Sequence, residues 1–333
     1  MINTISCKTK FSFFGLLIVI VSITIYLLGV IIAPFRHIPG LDFINSIAYF
    51  LVWYSGLMLL IGFSLILFEI FNKVKYIKSN KEFKGIENPN NYKVVVGLTA
   101  FNDEESIAQS VVNFLENKNV ESVLVVDNNS CDNTFQLAHE AGATVITEKI
   151  PGYGSCVYRV LEELAKVDSE FVVICEGDMT FRAEDISKLI AYANNCDVVM
   201  GTRICDQLQS PKTQLSIFMH FGNFFVGKLL ESKYLGSCNI TDVGCTFKLF
   251  RRRIILDLLK NLNRNINLEF NAHLLEVLIS SGYCCVEVPI TFHQRYGFSK
   301  GGNRSNYAAI KVGLAMIIGI IFGWKRNEKL PTN

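Results

Sequence analysis

Hydrophobic positions follow two different patterns along the chain. Near the amino terminus they are continuous: Phe11 to Ala33 and Phe43 to Phe68 contain no charged residue. At about 1.5 Å of rise per residue, a helix over either run can cross a hydrocarbon core of roughly 30 Å. Pro34, Arg36, His37 and Pro39 lie between them, so 1–72 reads as a transmembrane helical hairpin with spans 11–33 and 43–68. Two buried core helices are the alternative, but helices this long and uncharged are rare in soluble domains. Lys8 and Lys10 precede the first run as in a signal peptide. The apolar stretch outlasts a signal core, however, and a second span follows at once.

From 92 to 305 the pattern becomes short β-branched runs alternating with helical spacing. Tyr92–Thr99, Glu121–Asp127, Ala143–Ile146, Glu170–Cys175, Asp197–Met200 and Cys285–Thr291 read as strands. Asp103–Asn117, Asn133–Gly142, Gly154–Lys166 and Ala183–Asn194 read as helices. This alternation predicts an α/β domain around a mainly parallel sheet. A basic linker, 73–91, carries Lys73, Lys75, Lys78, Lys81 and Lys84. The tail, 306–333, holds a third apolar run, Tyr307 to Trp324, which contains Lys311 and is followed by Lys325 and Arg326. It is barely long enough to span, and a tilted interfacial or re-entrant helix fits equally well. Leu215 to Leu230, interrupted by Asn223 and Lys228, fits either an interfacial helix or a buried one.

Composition strengthens the membrane reading. Half of the residues are hydrophobic, 19% are charged and mean hydropathy is +0.31, against about 25% charged residues in ordinary soluble domains. A disordered chain is excluded. Lys+Arg 32 against Asp+Glu 30 leaves +2, too little for a general nucleic-acid binder. The 10 cysteines form no Cys-x-x-Cys pair, which argues for reduced thiols rather than a zinc site or a disulfide framework. The lysines on both flanks of the hairpin, against the single Arg36 between the spans, place both its ends and the following domain in the cytoplasm.

Candidate chemistry gathers where strands end, which is where α/β sheets bind ligands. Asp127 closes one strand, with Asn128 and Asp132 beyond it; a turn and a helix cap would explain the same residues. Glu176-Gly177-Asp178 follows a buried strand. Two carboxylates so close repel each other, and Mg²⁺ or Mn²⁺ shared with phosphate oxygens would relieve this; a solvated acidic loop is the alternative. Gly152 and Gly154 open a helix, where glycine brings backbone N–H groups near phosphate or simply turns the chain. His293, alone in a basic stretch, reads as structural.

Seven stretches then occur in a telling order: GLTAFNDEESI at 97–107, VLVVDNNSCDNT at 123–134, PGYGSCVYRVLEEL at 151–164, VVICEGDMTF at 172–181, VVMGTR at 198–203, DVGCTFKLFRR at 242–252 and EVPITFHQRYGFSK at 287–300. Together they resemble the family-2 glycosyltransferases of the GT-A fold, a Rossmann-like nucleotide-diphospho-sugar transferase architecture. The resemblance is to the branch containing dolichyl-phosphate mannose and glucose synthases, and it covers roughly 92–305. It implies a first nucleotide-contacting loop with Ala100, Asn102, Glu104 and Glu105. It implies Asp127 and Asn128 at the base, Gly152 and Gly154 at the donor, and Glu176 and Asp178 as the metal motif. Arg203 would lie near the donor diphosphate, Asp242 beside the acceptor, and Arg295, Ser299 and Lys300 at phosphate; Asp178, Arg203 and Asp242 would carry catalysis.

The sequence departs from the family pattern at Asn128, where many members have a second Asp, at Glu176, which replaces the first Asp of the metal motif, and at Asn271, where many carry an acid. The Q-x-x-R-W signature of processive synthases is absent from Gln294-Arg295-Tyr296. The expectation is a membrane-bound, inverting, metal-dependent hexosyltransferase of cell-envelope or glycan biosynthesis, with a nucleotide-sugar donor and a polyprenyl-phosphate acceptor. The alternatives are transfer to a glycan hydroxyl, with Asp242 or Glu269 as base, and an inactive nucleotide-binding protein.

Overall fold

The computed structural model describes residues 10–38, 43–73, 92–234, 238–297 and 306–324. They form two compact units, one built on the amino-terminal helices and one on the sheet.

In the first unit, α1 (Lys10–Ile32) and α2 (Phe43–Lys73) are the two helices long and apolar enough to cross a membrane by length and composition. They cross where side chains vanish. A Cβ on Gly15 would lie 2.7 Å from the Gly62 carbonyl oxygen, and one on Gly62 2.8 Å from that of Gly15. Close backbone approach through small residues is how apolar helices associate when lipid is as apolar as leucine. Ser22 Oγ donates to the Ser55 carbonyl in the same seam. Glu69 is buried and accepts the Ser12 N–H at 2.5 Å, which satisfies one of the amides left orphaned at a helix start. α2 continues past the expected limit at residue 68, because Glu69 turns inward rather than ending the helix.

The second unit is a seven-stranded sheet. Its strands are β1 (Val94–Ala100), β2 (Val120–Asp127), β3 (Thr144–Thr147), β4 (Phe171–Glu176), β5 (Val198–Thr202), β6 (Lys248–Arg251) and β7 (Cys285–Pro289), ordered β3-β2-β1-β4-β6-β5-β7. Among the described strands only β6 runs antiparallel to its neighbours, so the sheet is mainly parallel, as expected. Around it lie α3 (Ile107–Leu115), α4 (Thr134–Glu140), α5 (Tyr153–Leu164), α6 (Ile186–Ala193), α8 (Ile255–Asn261) and α9 (Phe270–Ser280). Every residue of β1 is buried, since helices cover both faces. Val94, Val96 and Leu98 join α3 and α6 in one core. Gly97 faces α5 on the other side so closely that a Cβ would sit 2.4 Å from Val160.

Two more helices complete this unit, α7 (Ile217–Lys233), which belongs to it as far as Leu230, and α10 (Asn306–Phe322). α7 is neither wholly interfacial nor wholly buried. Ile217, Phe218 and Phe221 at its start are exposed, whereas Val226, Leu229 and Leu230 are buried. The 17 residues of α10 measure about 25 Å, short of a roughly 30 Å hydrocarbon core. Beyond its end Trp324 folds back against it: a Cβ on Gly319 would lie 2.5 Å from the indole, whose N–H donates to Glu276 Oε2 of α9 at 2.9 Å. The cysteines among the described residues are free.

Candidate active site

The carboxyl ends of β1, β2, β4 and β5 open onto one cavity of about 650 Å³. Of the residues expected at the site, Ala100, Asn128, Gly152, Glu176, Asp178, Arg203 and Arg295 line it. Backbone strain concentrates on the same rim. Asn102, Asn129 and Met179 have φ of 51°, 57° and 66°, left-handed values rare for a residue like Met.

β4 delivers the carboxylate pair. Glu176 Oε1 accepts from Thr246 Oγ1 at 2.8 Å. Burial, then the neighbouring Asp178 charge, pushes the Glu176 carboxyl up to about 7, with Arg295 pulling the other way. Asp178 Oδ1 accepts the Thr180 N–H at 3.0 Å, and its Oδ2 meets Arg295 Nη1 at 2.8 Å. Arg295 also reaches Asp103 Oδ1, at 3.3 Å through Nη2. Gly177 serves packing: a Cβ there would lie 2.6 Å from Ile107. Among the described residues no group of three or more His, Cys, Asp or Glu side chains could hold a metal. Two hard carboxylates are what a site needs when donor phosphates and water complete the shell of Mg²⁺ or Mn²⁺. Asp178 Oδ2, buried and without a hydrogen bond apart from its ion pair, fits that role.

Arg203 enters at the end of β5, where its fork is fixed. Nε donates to Asp242 Oδ2 at 2.7 Å and Nη2 to Oδ1 at 2.8 Å, while its backbone N–H reaches Oδ2 at 3.1 Å. Burial alone would raise the Asp242 carboxyl; Arg203 outweighs it and holds the group below the ordinary range. Glu287 of β7 accepts the N–H groups of Thr241 and Asp242 at 2.8 and 3.1 Å, fixing that loop in turn. Asp242 does not line the cavity. It stands behind Arg203 and fixes that side chain in place.

Other expected residues make contacts within and between the loops after the strands. Asp127 accepts from Ser130 N–H at 3.2 Å and from its hydroxyl, the contacts of a turn. Asp132 accepts the Thr134 N–H at 3.0 Å, at the start of α4. Asn102 Oδ1 accepts the Cys131 N–H at 2.8 Å, and Glu104 accepts the Asn133 N–H at 3.2 Å. Both therefore tie the loop after β1 to the loop after β2, and neither lines the cavity. Gly154 is a packing glycine: a Cβ would fall 1.7 Å from the Ile266 carbonyl oxygen. Gly152, with φ of 123°, takes the turn conformation that favours glycine. Ser299 and Lys300 lie outside the described residues.

Asn128 explains its own departure from Asp. Its Nδ2 donates to the Ile150 and Glu148 carbonyls at 2.7 and 3.1 Å, while its Oδ1 accepts the Gly152 N–H at 2.8 Å. A carboxylate could only accept.

Two features escaped the sequence. One is a buried hydrogen-bond chain that ends on Glu176. Lys248 Nζ reaches Asn271 Oδ1 at 3.5 Å, Asn271 Nδ2 donates to Tyr153 Oη at 2.9 Å, and the Tyr153 hydroxyl pairs with Thr246 Oγ1 at 2.5 Å. Thr246 then donates to Glu176. Burial lowers the Lys248 ammonium from its ordinary value and, with Glu176, raises the Tyr153 phenol. Asn271 is thus used in full by this chain, which an acid at that position could not donate into. The other is Asp103, inside the first motif; only its lining position shows its part.

The far end of the cavity is apolar. α7 contributes Phe218, Met219 and Phe225, and α10 contributes Ile310, Leu314 and Ile317.

Residues 95–259 match the family described as Glycosyl transferase family 2. Protein RfbJ of Shigella flexneri is 32% identical over 114 residues, which are 34% of this chain and 86% of that protein. The dolichyl-phosphate hexose transferase of Haloferax volcanii is 28% identical over 228 residues, 66% of this chain and 94% of that protein. Other curated relatives are matched over about half of their length. Glucosyl-3-phosphoglycerate synthase from Mycobacterium tuberculosis, solved with Mn²⁺ and UDP-glucose, aligns with a TM-score of 0.52 at 15% identity, over 74% of this chain and 86% of that chain. That likeness is one of fold.

Proposed function

The chain belongs to glycosyl transferase family 2, and on that premise we propose that it moves a sugar from a nucleotide-diphosphate donor to a lipid phosphate, anchored by a hairpin that crosses the membrane and leaves the catalytic unit in the cytoplasm. The observation that carries this reading is the single cavity whose carboxylate and arginine end continues into an apolar end formed by α7 and α10. A donor diphosphate suits the first end and a polyprenyl chain the second.

Glu176 and Asp178 would hold Mg²⁺ or Mn²⁺, which when bound supplies charge neutralisation to the departing nucleoside diphosphate. Arg203, locked by Asp242, presents its remaining N–H donors without having to reorganise. Arg295 holds Asp178 at 2.8 Å and Asp103 at 3.3 Å, and offers phosphate oxygens a planar cation between them. The acceptor oxygen attacks the anomeric carbon from the face opposite the leaving group, inverting it.

The choice of acceptor follows from how the carboxylates of the cavity are used. A hydroxyl acceptor needs a base, yet Asp242 and Glu269 do not line the cavity, and the carboxylates that do are engaged, Asp103 and Asp178 by Arg295 and Glu176 by Thr246. A lipid phosphate is already anionic at neutral pH and needs no strong base. The dolichyl-phosphate hexose transferase relative supports the same acceptor class.

The test is a panel of nucleotide sugars offered to the purified full chain with undecaprenyl phosphate, dolichyl phosphate or a soluble glycan. Label in the lipid phosphate, dependent on Mg²⁺ or Mn²⁺, is expected. Label only in the glycan would overturn the acceptor, and transfer undiminished by chelator would overturn the metal.

A further inference from the structure

A second cleft, of about 560 Å³, is lined by Arg182, Ser210, Lys212, His293 and Arg295, among others, and by no carboxylate. The main cavity, by contrast, is lined by Asp103, Glu176 and Asp178 as well as its arginines. One cavity can therefore take a cation, while the other is built for an anion alone.

The frame of this cleft is rigid. The Phe292 N–H donates to the Leu208 carbonyl at 2.9 Å and the Ser210 N–H to the Phe292 carbonyl at 2.8 Å, so the two lining segments are stitched backbone to backbone. Ser210 Oγ lies 3.5 Å from His293 Nδ1, and His293 Nε2 is 3.0 Å from Glu184, which holds the imidazole in place.

The donors of the cleft are not used up. Arg182 Nε and Arg295 Nε are both buried and without a hydrogen-bond partner among the described residues. Arg295 spends only its terminal nitrogens on Asp178 and Asp103. Lys212 is exposed. A buried guanidinium N–H with no acceptor is costly, and a phosphate oxygen is its best-matched partner.

We propose that this cleft is a second anion site that binds a phosphate monoester, with Arg182 and Lys212 supplying charge and Arg295 shared with the carboxylates of the main cavity. The inference goes beyond sugar transfer. It would hold if the acceptor proved to be a glycan, and Arg295 is the one lining residue it shares with the main cavity.

The experiment measures acylation of Lys212 by an amine reagent in the detergent-solubilised full chain, read by peptide mass spectrometry, with no donor and no turnover. Inorganic phosphate and dioctanoyl phosphatidic acid are the probes, with chloride at matched ionic strength as the control. Phosphate is expected to slow acylation by about tenfold at saturation, with Arg182→Gln removing the protection. Protection by the lipid at about tenfold lower concentration than inorganic phosphate identifies a lipid headgroup as the ligand; equal or weaker protection identifies a soluble phosphate ester. If neither probe slows acylation beyond chloride, or if protection survives Arg182→Gln in a variant that melts like the parent, the proposal is overturned.

Discussion

The two ends of the main cavity use glycine in opposite ways. At the carboxylate end Gly154 and Gly177 are tight, with a Cβ meeting neighbours at 1.7 and 2.6 Å. At the apolar end Gly222 of α7 and Gly313 of α10 face nothing within 4 Å. The first end is held by hydrogen bonds of fixed direction, as Arg203, Asn128 and Glu176 show. The second is lined by apolar faces of α7 and α10, with the Trp324–Glu276 hydrogen bond at the seat of α10. Direction specifies one geometry, whereas dispersion and burial are nearly indifferent to orientation. A reacting centre needs the former and a long flexible tail tolerates the latter.

The comparison breaks hardest at Asp242. Asp242→Ala would leave Arg203 buried and unpaired, so a stability loss of about 3–5 kcal/mol is expected, read as a lowered denaturation midpoint. A stable variant that had lost only turnover would instead return Asp242 to a direct catalytic role. Next in size, Asp178→Asn keeps the shape and removes the charge. Turnover should fall by roughly a hundredfold, near 3 kcal/mol, with the melting temperature little changed. Turnover within a few-fold of the parent would rule out Asp178 as a metal ligand.

Gly313→Leu tests the other end. The side chain enters open space in a helix, so the fold should persist. The apparent KM for a long-chain lipid phosphate should rise by about tenfold, near 1.4 kcal/mol, with the donor KM unchanged. A matching rise in donor KM would mean that the two ends are not separable. The smallest expected effect concerns the seat of α10. His273 Nε2 accepts the Asn263 N–H at 2.9 Å, and burial lowers the imidazole from 6.5 to about 4. Between those values the unfolded chain binds more protons, so stability is complete above 6.5 and is lost as pH falls towards 4. One pH unit below 6.5 the loss should be about 1 kcal/mol. His273→Gln should flatten the dependence of melting temperature on pH over that window, and an unchanged slope would assign it elsewhere.

The parallel strands were legible because β-branched runs need no partner to be recognised. β6 was not. It is four residues long and begins with Lys248, whose burial depends on the Cys245 carbonyl and on Asn271. At the site, Glu176, Asp178, Arg203 and Arg295 were legible from motif order. Adjacency in sequence carries no side-chain direction, however. Asn102 and Glu104 share a loop with cavity-lining Asp103 yet point to the neighbouring loop. The Tyr153–Thr246–Asn271 chain joins residues from distant parts of the sequence, and only folding puts them side by side.

The seating of α10 by Trp324 also equips the protein with an optical gauge. The chain has 2 tryptophans. Trp53 stands 65% exposed on α2, while Trp324 is packed on Gly319 with its ring centre 5.2 Å from that of His273. In a Trp53→Phe background the remaining indole would report on α10 alone. Its emission would redden if the helix lifted from α9, and would dim as the neighbouring imidazole took up a proton. Movement of the wall that lines the apolar end could then be followed by light, in real time, without a label.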